Sequence, residues 1–203
     1  MRVYAGVTGA DRRAERRERL LLAGLDLLGS VDGPRNFTLR GVCREADLGP
    51  RYFYESFYDL DEFAVAIYDE EITALTIVTL DALEGVDRSD DEARIRTSLG
   101  ALIGHIAEDM RRGRLLYSTA LSSVAAVDAR RRDSTRLFVG LLVDESNPGS
   151  KLHSPTDVLS EMLVGGLAQA IKAWLDGDLV LSQAELVDAC SQVFLDNLGS
   201  RRR

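Results

Sequence analysis

The residue types best suited to specific chemistry are gathered in one block of the chain, residues 37–63. Five of the thirteen aromatic residues fall within positions 52–58, too many for all of them to face inward from a seven-residue segment. A helix over 50–56 would leave four side chains exposed, namely Pro50, Arg51, Tyr52 and Tyr54. A guanidinium group pairs with guanine edges or phosphates, and a tyrosine hydroxyl reaches a phosphate or a base. This face is therefore chemically suited to the major groove of double-stranded DNA.

Two short helices joined by a tight turn must position these side chains. Thr38 is a good N-cap for a helix over 38–45, whose apolar residues recur at helical spacing: Leu39, Val42, Cys43 and Ala46. Gly49 and Pro50 suit the cap and the first position of a second helix over 50–56. The turn at 46–49 gives the geometry of a helix-turn-helix. We expect a small core built from Leu39, Val42, Ala46, Leu48, Phe53 and Phe57, closed by Leu25 and Leu28.

The rest of the chain also shows helical periodicity. The 203 residues include only four prolines and no run of β-branched alternation, so we predict an all-α fold of about nine helices. The first helix, at about 13–31, places Leu20, Leu21, Leu25, Leu28 and Val31 on one side and ends where Gly29, Gly33 and Pro34 break it. Later helices are predicted at about 61 into the eighties, 90–112, 114–121, 122–144, 155–176 and 182–198, with a loop at 145–155. We divide the chain into a helix-turn-helix domain, 1–60, and a helical domain, 61–203.

The charge of the chain is unevenly distributed. The net charge is −8, but residues 1–60 carry a net charge of +1 and the remaining residues a net charge of −9. The acidity therefore lies in the second domain, and the first domain is left free to contact a polyanion.

Several classes of protein are disfavoured by composition. The longest apolar stretches fall far short of the ~20 residues that a membrane span needs, so no membrane partner is expected. The first residues lack the apolar region of a secretory signal and only Cys43 and Cys190 occur, which favours the reducing cytoplasm. Both cysteines are expected in the core, and no His or Cys spacing suggests a metal or other cofactor. No nucleophile–base pairing motif and no phosphate-cradling glycine loop points to an enzyme.

The block at 37–63 resembles the DNA-binding domain of the TetR/AcrR family of bacterial transcriptional regulators. The matching positions are Gly33, Thr38, the turn Ala46-Asp47-Leu48-Gly49, and Tyr54-Glu55-Ser56-Phe57. The resemblance implies that Thr38 and Tyr54 bind phosphates, that Arg51 and Tyr52 contact or flank base edges, and that Arg40 lies near the DNA backbone. Three positions depart from the family pattern: Gly49 lacks a capping side chain, Leu60 replaces a lysine, and Asp47 replaces a turn glycine. Together they predict weaker or more salt-sensitive binding.

The arginines at the start of the first helix leave two interpretations open. Arg12, Arg13, Arg16, Arg17 and Arg19 either follow the DNA backbone, as an arm does in the family, or form salt bridges with nearby Asp11, Glu15 and Glu18.

The resemblance also implies a homodimer that binds a near-palindromic operator, and a repressor that a small hydrophobic effector releases. Candidate effector contacts, each with core packing as its alternative, are Leu102, His105, Ile106, Met110, Tyr117, Phe138 and Met162. The helix at 155–176 is apolar on nearly every side, so we expect it to be buried on every side, with 182–198 beside it in a four-helix dimer interface. Burial within a single chain is the alternative. Interface candidates are Gly165, Gly166, Ala170, Trp174, Cys190 and Phe194. The alternative functions are a helical ligand carrier or a protein-interaction module with a vestigial helix-turn-helix.

Overall fold

The computed structural model describes residues 9–31, 37–117, 126–134 and 155–198, and every regular element within these ranges is helical. The elements are α1 (Gly9–Leu28), α2 (Leu39–Glu45), α3 (Pro50–Tyr54), α4 (Leu60–Leu83), α5 (Asp91–Glu108), α6 (Met110–Tyr117), α7 (126–134), α8 (Pro155–Leu175) and α9 (Gln183–Leu198). The predicted all-α class is confirmed, with nine helical segments in the described residues. The predicted break at Gly33 and Pro34, most of the loop at 145–155 and both ends of the predicted helix 122–144 lie outside these ranges.

Helices α1, α2 and α3 enclose the small core that the sequence predicted. Phe53 is fully buried, and its ring lies 5.5 Å from that of Phe57 and 5.2 Å from that of Phe63, measured between centroids. The predicted inward residues of α2 and α3 and of the turn between them are all buried or packed against the buried core. Val31 is the exception on the α1 side, because α1 ends at Leu28 and leaves Val31 exposed. Since Phe63 belongs to α4, this aromatic cluster also joins the first domain to the second.

The helix predicted over 90–112 is two helices in the structure. Asp109 is extended, with a φ of −147° and a ψ of 97°, and it separates α5 from α6. Its carboxylate accepts the backbone N–H of Arg111 at 3.0 Å, and its carbonyl accepts that of Arg112 at 3.0 Å, so Asp109 acts as a cap for α6. The prediction failed here because the apolar periodicity continues past Asp109, and neither glycine nor proline marks the break.

The second domain is built around α5 and α6. Helix α5 packs against α4 and α9, and α6 packs against α8 and α1. Within the single chain, helix α8 is buried on one side, and its predicted burial on the other side depends on a dimer partner and stays a prediction. Its buried stripe consists of Leu163, Leu167, Ile171 and Leu175, whereas Val158 and Met162 on the other side are exposed.

The two domains meet closely where α1 ends. The guanidinium of Arg111 lies between the carboxylates of Asp26 and Asp109, bonding to both. Gly29 packs against the same residue, and a Cβ atom placed on it would lie 2.5 Å from the carbonyl oxygen of Arg111. The end of α1 therefore leaves no space for a side chain at position 29.

We predict that Gly29→Ala lowers the free energy of unfolding by about 1–3 kcal/mol, because backbone atoms have to shift to admit the methyl group. Gly100→Ala is the matched control, since nothing lies within 4 Å of a Cβ atom at Gly100 within α5. That change should be neutral or stabilising by up to about 1 kcal/mol through helix propensity. Urea denaturation of both variants measures the difference, and equal stability would contradict the close contact.

Candidate functional site

The predicted N-cap of α2 is present. Thr38 is extended, with a φ of −133° and a ψ of 157°, and its Oγ1 accepts the backbone N–H of Gly41 at 3.0 Å. Because Oγ1 acts as the acceptor in this cap, its own proton remains available to donate outward to a phosphate oxygen. Arg40 is exposed on α2, and so is Arg44 one turn later. The sequence analysis missed Arg44, although the i, i+4 spacing already placed it on the same face as Arg40.

The turn after α2 is closed by two backbone hydrogen bonds. Leu48 donates to the carbonyl of Cys43 at 2.9 Å, and Asp47 donates to that of Arg44 at 3.2 Å, which together form a Schellman motif. Asp47 holds the left-handed position of this motif, with a φ of 50°. Aspartate tolerates this conformation better than most residues, so Asp47 can hold the position that glycine usually takes in this turn.

Helix α3 is short and begins without a capping side chain. Gly49 occupies the N-cap position with a φ of −75° and a ψ of 155°, and Pro50 follows at the first helical position. The burial of Phe53 turns the opposite side of α3 outward. The four predicted side chains, Pro50, Arg51, Tyr52 and Tyr54, are all exposed there, with 89% of the Arg51 side chain accessible to solvent.

Arginines of α1 contact the elements around α3. The Nη2 of Arg16 donates to Glu55 Oε2 at 2.9 Å, and that of Arg19 donates to the carbonyl of Ala46 at 2.7 Å. Arg13 donates to the carbonyl of Glu55. With Arg17, whose Nη1 lies 3.9 Å from Glu70 Oε2 of α4, four of the five arginines contact other elements of the same chain. These contacts favour a paired helix start over a free arm for those four arginines.

The start of α4 is acidic. Asp59 caps this helix, its Oδ1 accepting the backbone N–H of Glu62 at 2.8 Å. Leu60 follows as the first helical residue and packs partly against the core. An aliphatic side chain donates no hydrogen bond, so the Leu60 side chain cannot make the phosphate contact of a lysine.

The predicted effector residues fall into two groups. Leu102, His105 and Ile106 are buried together on α5, and Tyr117 is partly buried at the end of α6. Met110 and Met162 instead lie on the surface, with 43% and 69% of each residue exposed, and Phe138 lies outside the described residues. The structure thus places the α5 residues in the interior and leaves both methionines outside it.

His105 belongs to an interior polar cluster that sequence reasoning missed. The guanidinium of Arg112 lies 3.4 Å from His105 Nδ1, and its Nε lies 3.5 Å from Glu71 Oε2. Burial lowers the pKa of His105, and the positive charge of Arg112 lowers it further. Burial raises the pKa of Glu71, which Arg112 opposes. No local signal pairs these residues, because they come from α4, α5 and α6.

The predicted interface residues are also divided between surface and interior. Gly165 and Gly166 are exposed, and Ala170 and Trp174 are partly buried. The indole N–H of Trp174 donates to the carbonyl of Leu181 at 2.9 Å, tying the end of α8 to the segment before α9. Cys190 and Phe194 are buried within the single chain.

The described residues also form an open groove away from the predicted effector residues. An open groove on the outer face of α4 is lined by Arg17, Glu62, Val65, Ala66, Asp69, Glu70, Thr73, Ala74 and Ile77, none of which is a predicted effector contact. Within the described ranges, no group of His, Cys, Asp or Glu side chains is arranged to hold a metal ion. None of the helices described is both long enough and apolar enough to cross a bilayer.

Comparison with solved structures defines the class of fold. A TetR-like transcriptional regulator from Rhodococcus sp. RHA1 superposes with a TM-score of 0.65 at 19% identity, covering 93% of this chain and 98% of that chain. The fatty acid degradation regulator FadR from Bacillus halodurans gives a TM-score of 0.72 at 13% identity, covering 89% and 98%. A chain from Syntrophomonas wolfei described as a TetR-family transcriptional regulator gives 0.70 at 16%, covering 89% and 93%.

The chain therefore has the TetR-like fold, a helix-turn-helix domain followed by a helical domain. No family model matches the sequence. The resemblance first noted at residues 37–63 thus extends, at the level of fold, over most of the chain.

The lowered pKa of His105 predicts a pH dependence of stability. The unfolded chain takes up this proton near the ordinary pKa of 6.5, whereas the folded chain takes it up only at lower pH. Stability from neutral His105 is therefore present above pH 6.5 and lost as the pH falls, by up to about 1.4 kcal/mol per pH unit. We expect wild type to lose more stability than His105→Gln between pH 7.5 and 5.5 in urea denaturation. Parallel losses would show that His105 is not held neutral.

Proposed function

We propose that this protein is a homodimeric DNA-binding transcriptional regulator that acts as a repressor. The observation that carries the proposal is the exposed face of α3, where burial of Phe53 turns Arg51 and Tyr54 outward within a helix-turn-helix. The TetR-like fold supports the same function, because the solved structures that share it include several named as transcriptional regulators. A regulator is also favoured over an enzyme by these neighbours.

The contacts with DNA follow from the chemistry of each exposed side chain. Arg51 and Tyr52 contact or flank base edges, while Thr38 and Tyr54 bind phosphates through their hydroxyl groups. Arg40 lies along the backbone. A two-fold dimer presents α3 twice, so the operator is near-palindromic, with half-site centres about 34–36 Å apart or a multiple of that distance.

The effector is a small hydrophobic molecule bound in the second domain. The buried residues Leu102 and Ile106 supply apolar surface, and His105 supplies one polar contact, the usual composition of a ligand site. These residues lie on α5 beside α6, and α6 contacts α1 of the DNA-binding domain. A ligand that prefers a different placement of α6 shifts the population toward dimers in which both α3 helices cannot engage DNA at once.

The dimer uses the exposed face of α8. Val158, Met162, Gly165 and Gly166 form one stripe at helical spacing, opposite the stripe that α8 buries in its own chain. Exposed apolar surface of this kind favours association with a second copy through the same face.

The first test of the proposal is DNA affinity of the full chain. Binding to DNA upstream of its own gene, and to a selected random-sequence pool, is measured at several salt concentrations. We expect the logarithm of the affinity to fall linearly with the logarithm of the salt concentration. Arg51→Ala should weaken specific binding by about 1–3 kcal/mol and relax specificity at one position. Tyr54→Phe should weaken binding to all sequences.

Arg132→Ala is the matched control for Arg51→Ala, because it removes one exposed arginine from α7, outside the helix-turn-helix. It should leave affinity unchanged. Absence of DNA binding at low salt would refute the regulator and favour the ligand carrier. Binding to a protein partner with an affinity that does not change with salt concentration would favour the interaction module.

A second test addresses the dimer. Met162→Asp should shift the protein from dimer to monomer in analytical ultracentrifugation, because a carboxylate replaces an apolar group at the centre of the stripe. Ile77→Asp is the control, since Ile77 is exposed on α4 away from this face. Both variants should keep the helical circular dichroism of wild type. A Met162→Asp protein that stays dimeric would place the interface elsewhere.

A further inference from the structure

Helix α3 has few means of holding its own orientation. It spans five residues, and its N-cap residue, Gly49, makes no side-chain cap. An isolated helix of this length is unstable in water, because nucleation costs more than one turn of hydrogen bonds returns. Phe53 anchors one side of α3, which leaves both ends of the helix to be fixed by contacts from elsewhere.

Arginines of α1 make those contacts at both ends. Before α3, Arg19 donates to the carbonyl of Ala46 at 2.7 Å and to that of Asp47 at 3.3 Å, bracing the turn that leads into the helix. After α3, Arg16 pairs with the carboxylate of Glu55 at 2.9 Å, and Arg13 donates to the carbonyl of the same residue.

Arg16 also contacts the outward face of α3. Its guanidinium carbon lies 4.6 Å from the centroid of the Tyr52 ring, within the range of a cation–π interaction. Only 24% of the Arg16 side chain is exposed, against 89% for Arg51. Arg16 is thus committed to α3, whereas Arg51 remains available to DNA.

The pairing also changes the charge that α3 presents. Glu55 is a carboxylate next to the proposed DNA-contacting residues, and it would repel phosphates if it were unpaired. The ion pair with Arg16 offsets that charge at 2.9 Å. Arg51 is a weaker partner, its Nε lying 3.7 Å from Glu55 Oε1.

We propose that Arg16 and Arg19 are positioning residues for DNA recognition. Arg16 neutralises Glu55 and fixes the Tyr52 ring, and Arg19 holds the turn, so that α3 meets the groove already oriented. Neither arginine contacts DNA. This inference rests on the proposed regulator function and assigns to α1 a role that replaces the missing side-chain cap of α3.

A double-mutant cycle separates positioning from phosphate contact. Arg16→Gln should weaken operator binding about tenfold, because the carboxylate of Glu55 is left unpaired beside the phosphates. Adding Glu55→Gln to that variant should restore most of the affinity, since the repulsive charge is gone. The slope of log affinity against log salt should match wild type in all variants.

The opposite results are expected if Arg16 instead belongs to an arm that contacts the DNA backbone. Glu55→Gln would then fail to rescue Arg16→Gln, and the salt slope would become shallower by about 0.9, the value for one lost phosphate contact. Either of these outcomes, or an Arg16→Gln variant with unchanged affinity, would overturn the proposal.

Hydrogen exchange in the DNA-free protein tests the positioning role independently of DNA. The amides of Glu55, Ser56 and Phe57 donate to carbonyls within α3 at 3.0–3.1 Å. In Arg16→Gln these amides should exchange about tenfold faster, while those of α5 keep their wild-type rates. Arg19→Gln should act in the same way on the amide of Leu48 in the turn. Arg12→Gln is the control, since Arg12 is exposed on the same helix.

The two readouts keep the two proposals distinct. If the Arg16→Gln and Arg19→Gln variants exchange faster but wild type does not bind DNA, the regulator function is refuted and the positioning contacts are supported. DNA binding by wild type with unchanged exchange in Arg16→Gln and Arg19→Gln would refute positioning and leave the regulator standing.

Discussion

The burial of Phe53 is the contact that sets the exposed face of α3, which we propose as the DNA-contacting surface. In a five-residue helix, one fully buried side chain fixes the rotation of the helix about its axis, because successive residues are set 100° apart. Arg51 and Tyr54 therefore face outward because Phe53 faces inward. The partner rings of Phe53 include Phe63 of α4, so the orientation of α3 is set against the second domain as well as the first. Loss of this packing would disrupt the exposed face of α3 without changing any residue that is proposed to contact DNA.

A series of arginine contacts connects α3 to the interior of the second domain. Arg16 and Arg19 join α3 and its turn to α1, and Arg111 joins the end of α1 to α6 through Asp26. The next residue of α6, Arg112, faces Glu71 and His105 in the interior. Two adjacent arginines thus connect α6 to the helix-turn-helix domain on one side and to the polar interior on the other. A ligand that displaces α6 must carry Arg111 with it or break its pairs, and either change reaches α1.

The features that could be predicted from the sequence are those with local causes. Thr38, the left-handed position at Asp47 and the Gly49-Pro50 start each act within four residues, so the helix-turn-helix was predictable in detail. The contacts of Arg16 and Glu55 span 39 positions, and the Glu71–Arg112–His105 cluster needs three helices in their final packing. The break at Asp109 was missed for a different reason: its signal is a single capping aspartate within an apolar pattern that continues unchanged.

Helix α8 has apolar residues on more sides than a single chain buries. Its apolar residues suggested burial on every side, but a single chain buries only the stripe of Leu163, Leu167, Ile171 and Leu175. The described residues do not explain the glycines on the opposite side, because none of them lies within 4 Å of a Cβ atom placed at Gly165 or Gly166. Each glycine costs a helix about 1 kcal/mol relative to alanine. In the proposed two-fold dimer, close approach of a second backbone to this face would account for both glycines.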